Sequence, residues 1–355
     1  MMERSKKAMA VELDRRTLIK TSLGFGAMGL GAFAAQGCGV GTGGVGTGSG
    51  SKKKQIVARL SHDLAVDDPY NKGALKFASL ADKYTDGGVK VKVYPNASLA
   101  PEPEDVKLMK SGALSMALIG GSLPDVDPRW NWQTLPYLFP SYASANKAFE
   151  SPDGQKILAS LSDFGMVGLS YFTNGYRNIT NSKHPIVTPA DLEGMKIRVS
   201  KNRAMIATME ALGARPTAID HDQLFLALKT KVVDAQEGAA SSTLFGKYYE
   251  VQKYLSLTKH VFLAVPLVVS SKFWDGLDSD TKKQLSKAAV EAARYERGLV
   301  EQADKVDNER LRQKGMIVNS PDLAPFKSAT QQVYTKLESD IDGLSKWVGE
   351  LKAAM

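Results

Sequence analysis

Few residues in this chain have the type and setting to do chemistry. Two arginines, Arg177 and Arg198, sit at the edges of apolar stretches. A guanidinium presents two parallel N–H donors that match the two oxygens of a carboxylate, which lysine cannot do. Taken bare, a strand-end arginine is more often paired with an acid of its own chain. His221 lies in Asp220-His221-Asp222. That run suggests a metal site, but three adjacent residues cannot all point inward, and aspartates there suit the start of the next helix. No metal site and no cofactor are expected. The sequence holds no GxSxG, HExxH or P-loop, and Gly41 to Gly48 has no strand leading into it. The single cysteine, Cys38, excludes an internal disulfide and CxxC chemistry and lies outside any catalytic setting. Nothing here reads as an enzyme.

The elements that must position these residues read as α/β. Gln55 to Leu60 and Val89 to Tyr94 have strand character, and Tyr70 to Tyr84 carries its apolar residues on one helical face. Pro103 to Ser111 reads as a helix stopped by Gly112, with a buried strand over Leu114 to Ile119. A second set follows: strand Met195–Val199, helix Arg203–Leu212 closed by Gly213, helix Asp222–Lys229 and strand Pro266–Ser270. Alternation of this kind predicts mostly parallel sheets. From Asp280 to about Lys314 the pattern is one uninterrupted helix, about 50 Å long at 1.5 Å per residue. Trp130 and Trp132 are expected in the core.

Composition sets the frame. The 355 residues are 43% hydrophobic and 24% charged, the profile of a folded protein with two domains' worth of chain. Of the net charge of +8, residues 1–37 supply six basic and three acidic groups, so the remainder carries only +5. No basic block with interleaved aromatics stands out beyond Lys52-Lys53-Lys54, so nucleic acid is not an expected partner.

The first 54 residues read as an address. A basic segment and a short apolar run rich in glycine make residues 1–37 an export signal. Asp14-Arg15-Arg16-Thr17-Leu18-Ile19-Lys20 resembles the twin-arginine export motif. Ala35-Gln36-Gly37-Cys38 resembles a lipoprotein processing site, where Cys38 is acylated and becomes the N-terminus; Ala32-Phe33-Ala34 is a rival cleavage site. Residues 38–54, rich in Gly, Ser and Lys, form a flexible tether. The protein is expected in the periplasm or at the outer face of the cytoplasmic membrane, held there by lipid if Cys38 is acylated.

Three stretches carry a resemblance: Asn174-Gly175-Tyr176-Arg177 followed by Ile186 to Arg198; Leu212-Gly213-Ala214-Arg215-Pro216 leading into Asp222 to Glu237; and Tyr249 to Leu255 with Leu257-Thr258-Lys259-His260. Tyr94 to Leu99 and Leu135 to Phe139 fit as well. In this order and spacing they resemble the solute-binding proteins of tripartite ATP-independent periplasmic (TRAP) transporters, over residues 55–345. The resemblance implies a two-lobed periplasmic-binding-protein fold with a hinge and a long helix spanning both lobes. Lobe I would take 55–180 and lobe II 181–270. Residues 271–355 would form the long helix and the C-terminal helices. It implies capture of a small organic acid and delivery to the transporter's membrane subunits; a sensor feeding a receptor kinase is the alternative. Arg198 aligns with the arginine that fixes the ligand carboxylate, and Arg177 with a second basic position. Asn174, Gln236 and His62 fall beside the implied cleft. His221 replaces an aromatic residue and would make affinity sensitive to pH. Gly238 replaces the asparagine of the family's D-G-Q-E-N-P, which puts transfer of the familiar ligands in doubt.

Overall fold

The computed structural model describes residues 55–355. The expected export signal, the tether and Cys38 lie outside the described residues.

Nine strands form one mixed sheet: β1 (Ile56–Ser61), β2 (Val89–Tyr94), β3 (Met116–Leu118), β4 (Met166–Asn181), β5 (Lys196–Val199), β6 (Arg215–Ala218), β7 (Ala235–Gly238), β8 (Tyr254–Ser270) and β9 (Ile317–Asn319). Their order is β2-β1-β3-β8-β4-β7-β5-β6, with β9 beside β8. The alternating pattern is correct for the short strands: β1 is parallel to β2 and β3, and β5 to β6 and β7. Most strand pairings are parallel as expected, β9 with β8 included, and the departure is confined to the central ribbon. The two longest strands, β4 and β8, run antiparallel to each other, and β3 and β7 join them antiparallel. β3 pairs with the Leu267–Val269 end of β8. β7 pairs with the opposite end of the ribbon, at Asn178–Asn181 of β4.

The sequence hid this ribbon for a physical reason. β4 pairs with β8 through three register shifts, and it buries Thr173, Asn174, Asn178, Thr180 and Asn181. Bulges and buried polar residues erase the alternation by which a strand is recognised. At one of the shifts, Gly175 has φ +71°, and a Cβ there would meet the Tyr142 hydroxyl and Val300 at 2.8 Å. Thr173 closes the irregularity, its hydroxyl donating to the Leu263 carbonyl and accepting from the Gly175 N–H. The bulge thereby re-aims the chain between Asn174 and Arg177.

The core has two sides. Along β8, Leu263, Val265, Leu267 and Val269 belong to one apolar cluster, while Phe262, Ala264 and Val268 belong to another. Successive side chains of a strand point to opposite faces, so the clusters lie on opposite faces of the sheet. The second is aromatic, and Trp130 and Trp132 sit in it fully buried, 5.7 Å between ring centroids. The long helix spans Ser279–Gln313, within a residue of expectation. It is capped by Asp278, whose side chain accepts from the Thr281 N–H, and Ala288, Ala289, Ala292 and Ala293 on its buried face allow close approach. It packs on the helix Pro69–Tyr84, on β4, and on the helix Ala240–Phe245 beyond β7. It therefore touches both the helix that follows β1 and the helix that follows β7. No described helix is long and apolar enough to cross a membrane.

Candidate functional site

Five short strands end at one place. β1 leads to Asp63 and Leu64, β3 to Gly120, Gly121 and Ser122, β5 to Arg198 and Ser200, β6 to Ile219 and His221, and β7 to Gln236, Glu237 and Gly238. All these residues line one cleft of about 930 Å³, partly open to solvent. In open α/β sheets the crevice beyond the carboxyl ends of the strands is where ligands are held. The re-aimed turn of β4 adds Asn174 and Arg177 to the wall.

Arg198 is the least compensated charge in this wall. β5 is paired on both edges, by β6 and β7, and Arg198 near its end is only 4% exposed. Its Nε donates to the Ile219 carbonyl at 2.7 Å. No acidic side chain among the described residues forms an ion pair with it. Burial pushes its pKa down while Glu237 and Tyr248 oppose the shift; a guanidinium nonetheless stays charged. Four of its five N–H groups remain for something in the cleft.

Arg177 is different, because it has its acid. Nε and Nη2 bind the two oxygens of Glu237, the latter at 2.8 Å; Nη2 also reaches the Glu237 carbonyl, and Nη1 donates to Asn174 Oδ1 at 3.1 Å. At most one N–H is left over. Glu237 is fully buried, and burial alone would raise its pKa; Arg177 and His260, whose Nε2 is 3.6 Å away, hold it well below the carboxylate range instead. The cluster thus pairs Arg177 internally and leaves one net positive charge, on Arg198.

The remaining expected residues divide. Asn174 lines the cleft, with its amide nitrogen 3.3 Å from the Ser242 hydroxyl. Gln236 lines it too, and its amide donates to Thr180 Oγ1 at 2.9 Å. Gly238 lies beside it, with Gln236 Oε1 3.0 Å from where a Cβ would stand. His221 faces Tyr248, its Nε2 3.4 Å from the hydroxyl. Burial, reinforced by Arg198 and Arg177, pushes the pKa of His221 down to about 3. The same surroundings favour the uncharged ring at neutral pH. His62 does not line this cleft. It is buried away from the cleft lining, with Nδ1 accepting from the Leu64 N–H and Nε2 bonded to Asn71 Oδ1 at 3.1 Å. Among the described residues no group of His, Cys, Asp and Glu could hold a metal ion.

The acidic side of the cleft was not anticipated. Asp63, the next residue after His62, turns into the cleft where His62 turns away, as neighbours on an extended chain do. Across from the arginines, Glu102 accepts N–H bonds from Gly120, Gly121 and Ser122 at 2.7, 2.8 and 2.7 Å. Those three successive amides after β3 form an anion nest that the chain's own carboxylate fills. A signal existed in Glu102, an acid at the first turn of a helix after Pro101, but its partners lie 18–20 residues away.

Known proteins share this fold. The sequence profile described as bacterial extracellular solute-binding protein, family 7 (DctP), matches residues 60–340. The C4-dicarboxylate-binding periplasmic protein DctP of Rhodobacter capsulatus is 32% identical over 81% of this chain and 86% of its own. A TRAP periplasmic solute-binding protein from Polaromonas sp. JS666, solved bound to D-erythronate, superposes with a TM-score of 0.81 at 28% identity, over 84% of this chain and 99% of its own. The sugar-acid-binding protein DctPAm of Advenella mimigardefordensis, solved with galactonate, gives 0.80 at 29% identity over 85% and 99%. The overall fold is that of TRAP periplasmic solute-binding proteins, and the family works outside the cytoplasm. The chain belongs to the DctP family, the bacterial extracellular solute-binding proteins of family 7.

Proposed function

We propose that this binding protein captures a small organic acid with Arg198 as the carboxylate anchor and delivers it to the membrane subunits of a TRAP transporter. The observation that carries the reading is the buried guanidinium of Arg198, held by a single main-chain bond and facing the cleft with no ion-pair partner of its own. Burying such a charge is costly unless something completes it, and a ligand carboxylate does. Arg177, tied to Glu237, sets the electrostatic floor and has one N–H to offer. Asn174, His221, Gln236 and the open space at Gly238 shape the rest.

The division into lobes belongs to the same proposal. The two groups of short strands move about the β4–β8 ribbon, whose register shifts near Gly175 and Arg177 are the flexible points. The ligand bridges the groups and favours the closed form, as differential affinity requires. Residues 1–54 support export by the twin-arginine route and acylation of Cys38. Membrane association that a Cys38→Ser variant loses is the expected result.

The test is a thermal-shift screen of the folded body against hydroxy acids, sugar acids and dicarboxylates beside their uncharged analogues. A ligand at about 100 times its Kd adds about 2.7 kcal/mol of stability. Only carboxylates should raise the melting temperature. A shift produced equally by uncharged analogues overturns the reading.

A further inference from the structure

Arg198 selects a carboxylate but does not distinguish the carbon beside it. We propose that Gln236 reads that carbon: its side-chain carbonyl oxygen accepts the hydroxyl of a 2-hydroxy acid, so the cleft prefers such acids to their 2-deoxy and 2-keto counterparts. The inference rests on Arg198 as the carboxylate anchor.

The orientation of the Gln236 amide follows from a chain of hydrogen bonds that ends on the main chain. Gln252 donates from its amide nitrogen to the carbonyls of Val251 and Asp234, at 3.1 and 3.3 Å. Its Oε1 accepts the Thr180 hydroxyl at 3.2 Å. With its proton spent on Gln252, Thr180 Oγ1 can only accept, and it accepts from Gln236 Nε2 at 2.9 Å. Thr243 Oγ1 is the second acceptor, at 3.5 Å, its own proton going to the Ala239 carbonyl. Both hydroxyls require the NH2 group of Gln236, so Oε1 takes the other side.

On that side stands Gly238. Residues 236 and 238 share one face of β7, and Oε1 lies 3.0 Å from where a Cβ of residue 238 would be. Apart from the residues flanking Gly238, nothing outside Gln236 comes nearer than 3.8 Å to that point. Oε1 accepts no hydrogen bond among the described residues, yet it is not sealed from solvent as the unpartnered atoms of the core are. Gln236 is only 1% exposed, and the opening it has is into the cleft it lines. A buried acceptor without a partner is a costly feature, and one facing a cavity awaits a donor.

β5 and β7 are paired so that Arg198 stands directly beside Gln236. Neighbouring strands are about 4.8 Å apart, and paired residues point to the same face. A ligand carboxylate on the guanidinium thus brings its carbon 2 next to the amide. A hydroxyl there donates to Oε1 and accepts one of the N–H groups that Arg198 has left. Hydrogen in its place leaves Oε1 without a donor, and a carbonyl oxygen sets two acceptors against each other.

The experiment is calorimetric titration with probes that vary only at carbon 2: glycerate, 3-hydroxypropionate and hydroxypyruvate; malate, succinate and oxaloacetate; galactonate and its 2-deoxy analogue. Within any series that binds, wild type should hold the hydroxy acid about tenfold tighter than the deoxy acid, and the keto acid no better than the deoxy acid. Gly238→Asn keeps the bond from Gln236 to Thr180 and sets an amide donor over Oε1, so the preference should fall to about twofold or less. Gln236→Met, which removes the acceptor, should do the same. A deoxy or keto acid that wild type binds within about twofold of its hydroxy partner overturns the inference, and loss of that binding in Arg198→Ala leaves the anchor standing. A preference that survives in both variants puts the acceptor elsewhere and also overturns it. If Gln236→Met does not fold, Gly238→Asn and the wild-type order decide. If no probe binds wild type, the anchor and this inference fall together.

Discussion

The Arg198 Nε donates to the main-chain carbonyl of Ile219 at 2.7 Å, which fixes the plane of the guanidinium by its inner edge and leaves its outer edge facing the cleft. The bond ties the end of β5 to the residue after β6, so the side chain proposed as the anchor is held by the sheet itself. Orientation is set before a ligand arrives, which lowers the entropy lost on binding.

Function and stability should separate at this residue. An unpaired buried charge weakens the empty protein, so Arg198→Met should leave its melting temperature unchanged or raise it. The same variant should lose about 2–5 kcal/mol of ligand binding. Arg198→Lys should restore charge but not affinity. Thermal melts with and without ligand check all three.

At Glu237 the sign reverses. Glu237→Gln leaves Arg177 and Arg198 close together without their shared counter-charge, and loss of one partner from a buried pair costs about 3–5 kcal/mol. Urea denaturation of the ligand-free variant should show this loss directly.

The buried carboxyls predict how stability follows pH. Burial raises Asp105 to about 7 and lifts Asp63 and Glu296 well above their ordinary values. An acid whose folded pKa is raised binds more protons folded than unfolded, so stability falls as pH rises through that window. His62 and His221, lowered to about 4 and about 3, act oppositely but only below their unfolded value near 6.5. Above about pH 6.5 the carboxyls act alone, and melting temperature should decline as pH rises further. Asp105→Asn should flatten that slope. His221→Phe should leave the pH profile of affinity between about 6 and 8 unaltered.

Gly238→Asn restores the side chain usual in the family. A Cβ there meets only Gln236 Oε1, at 3.0 Å, and Gly238 is not in the left-handed region. The flexible end of Gln236 can give way, so the variant should fold with a melting temperature within a few degrees of wild type. It should weaken six-carbon acids more than four-carbon acids, as paired titrations would show.

The sequence made the periodic parts of this molecule legible. The helix Ser279–Gln313, the strands β1 and β2 and the helix Pro69–Tyr84 fall within a residue or two of their expected bounds, because each buries a regular apolar face. β4 and most of β8 were illegible: their bulges and buried Thr and Asn side chains follow no period. At the site, motif order pointed to Arg198 and Arg177 but could not show that only Arg177 is paired, since Glu237 lies 60 residues away. His62 and Asp63 differ by one residue and by which way the chain turns them. The choice between them depends on Asn71 and Leu64, which hold the imidazole.

The most direct test of the central claim is a calorimetric titration of wild type and Arg198→Met with galactonate and with galactitol, its uncharged counterpart. The account predicts that wild type binds galactonate, does not measurably bind galactitol, and loses galactonate when Arg198 is replaced. Galactonate held by Arg198→Met within about threefold of wild type, less than about 0.7 kcal/mol, would contradict it.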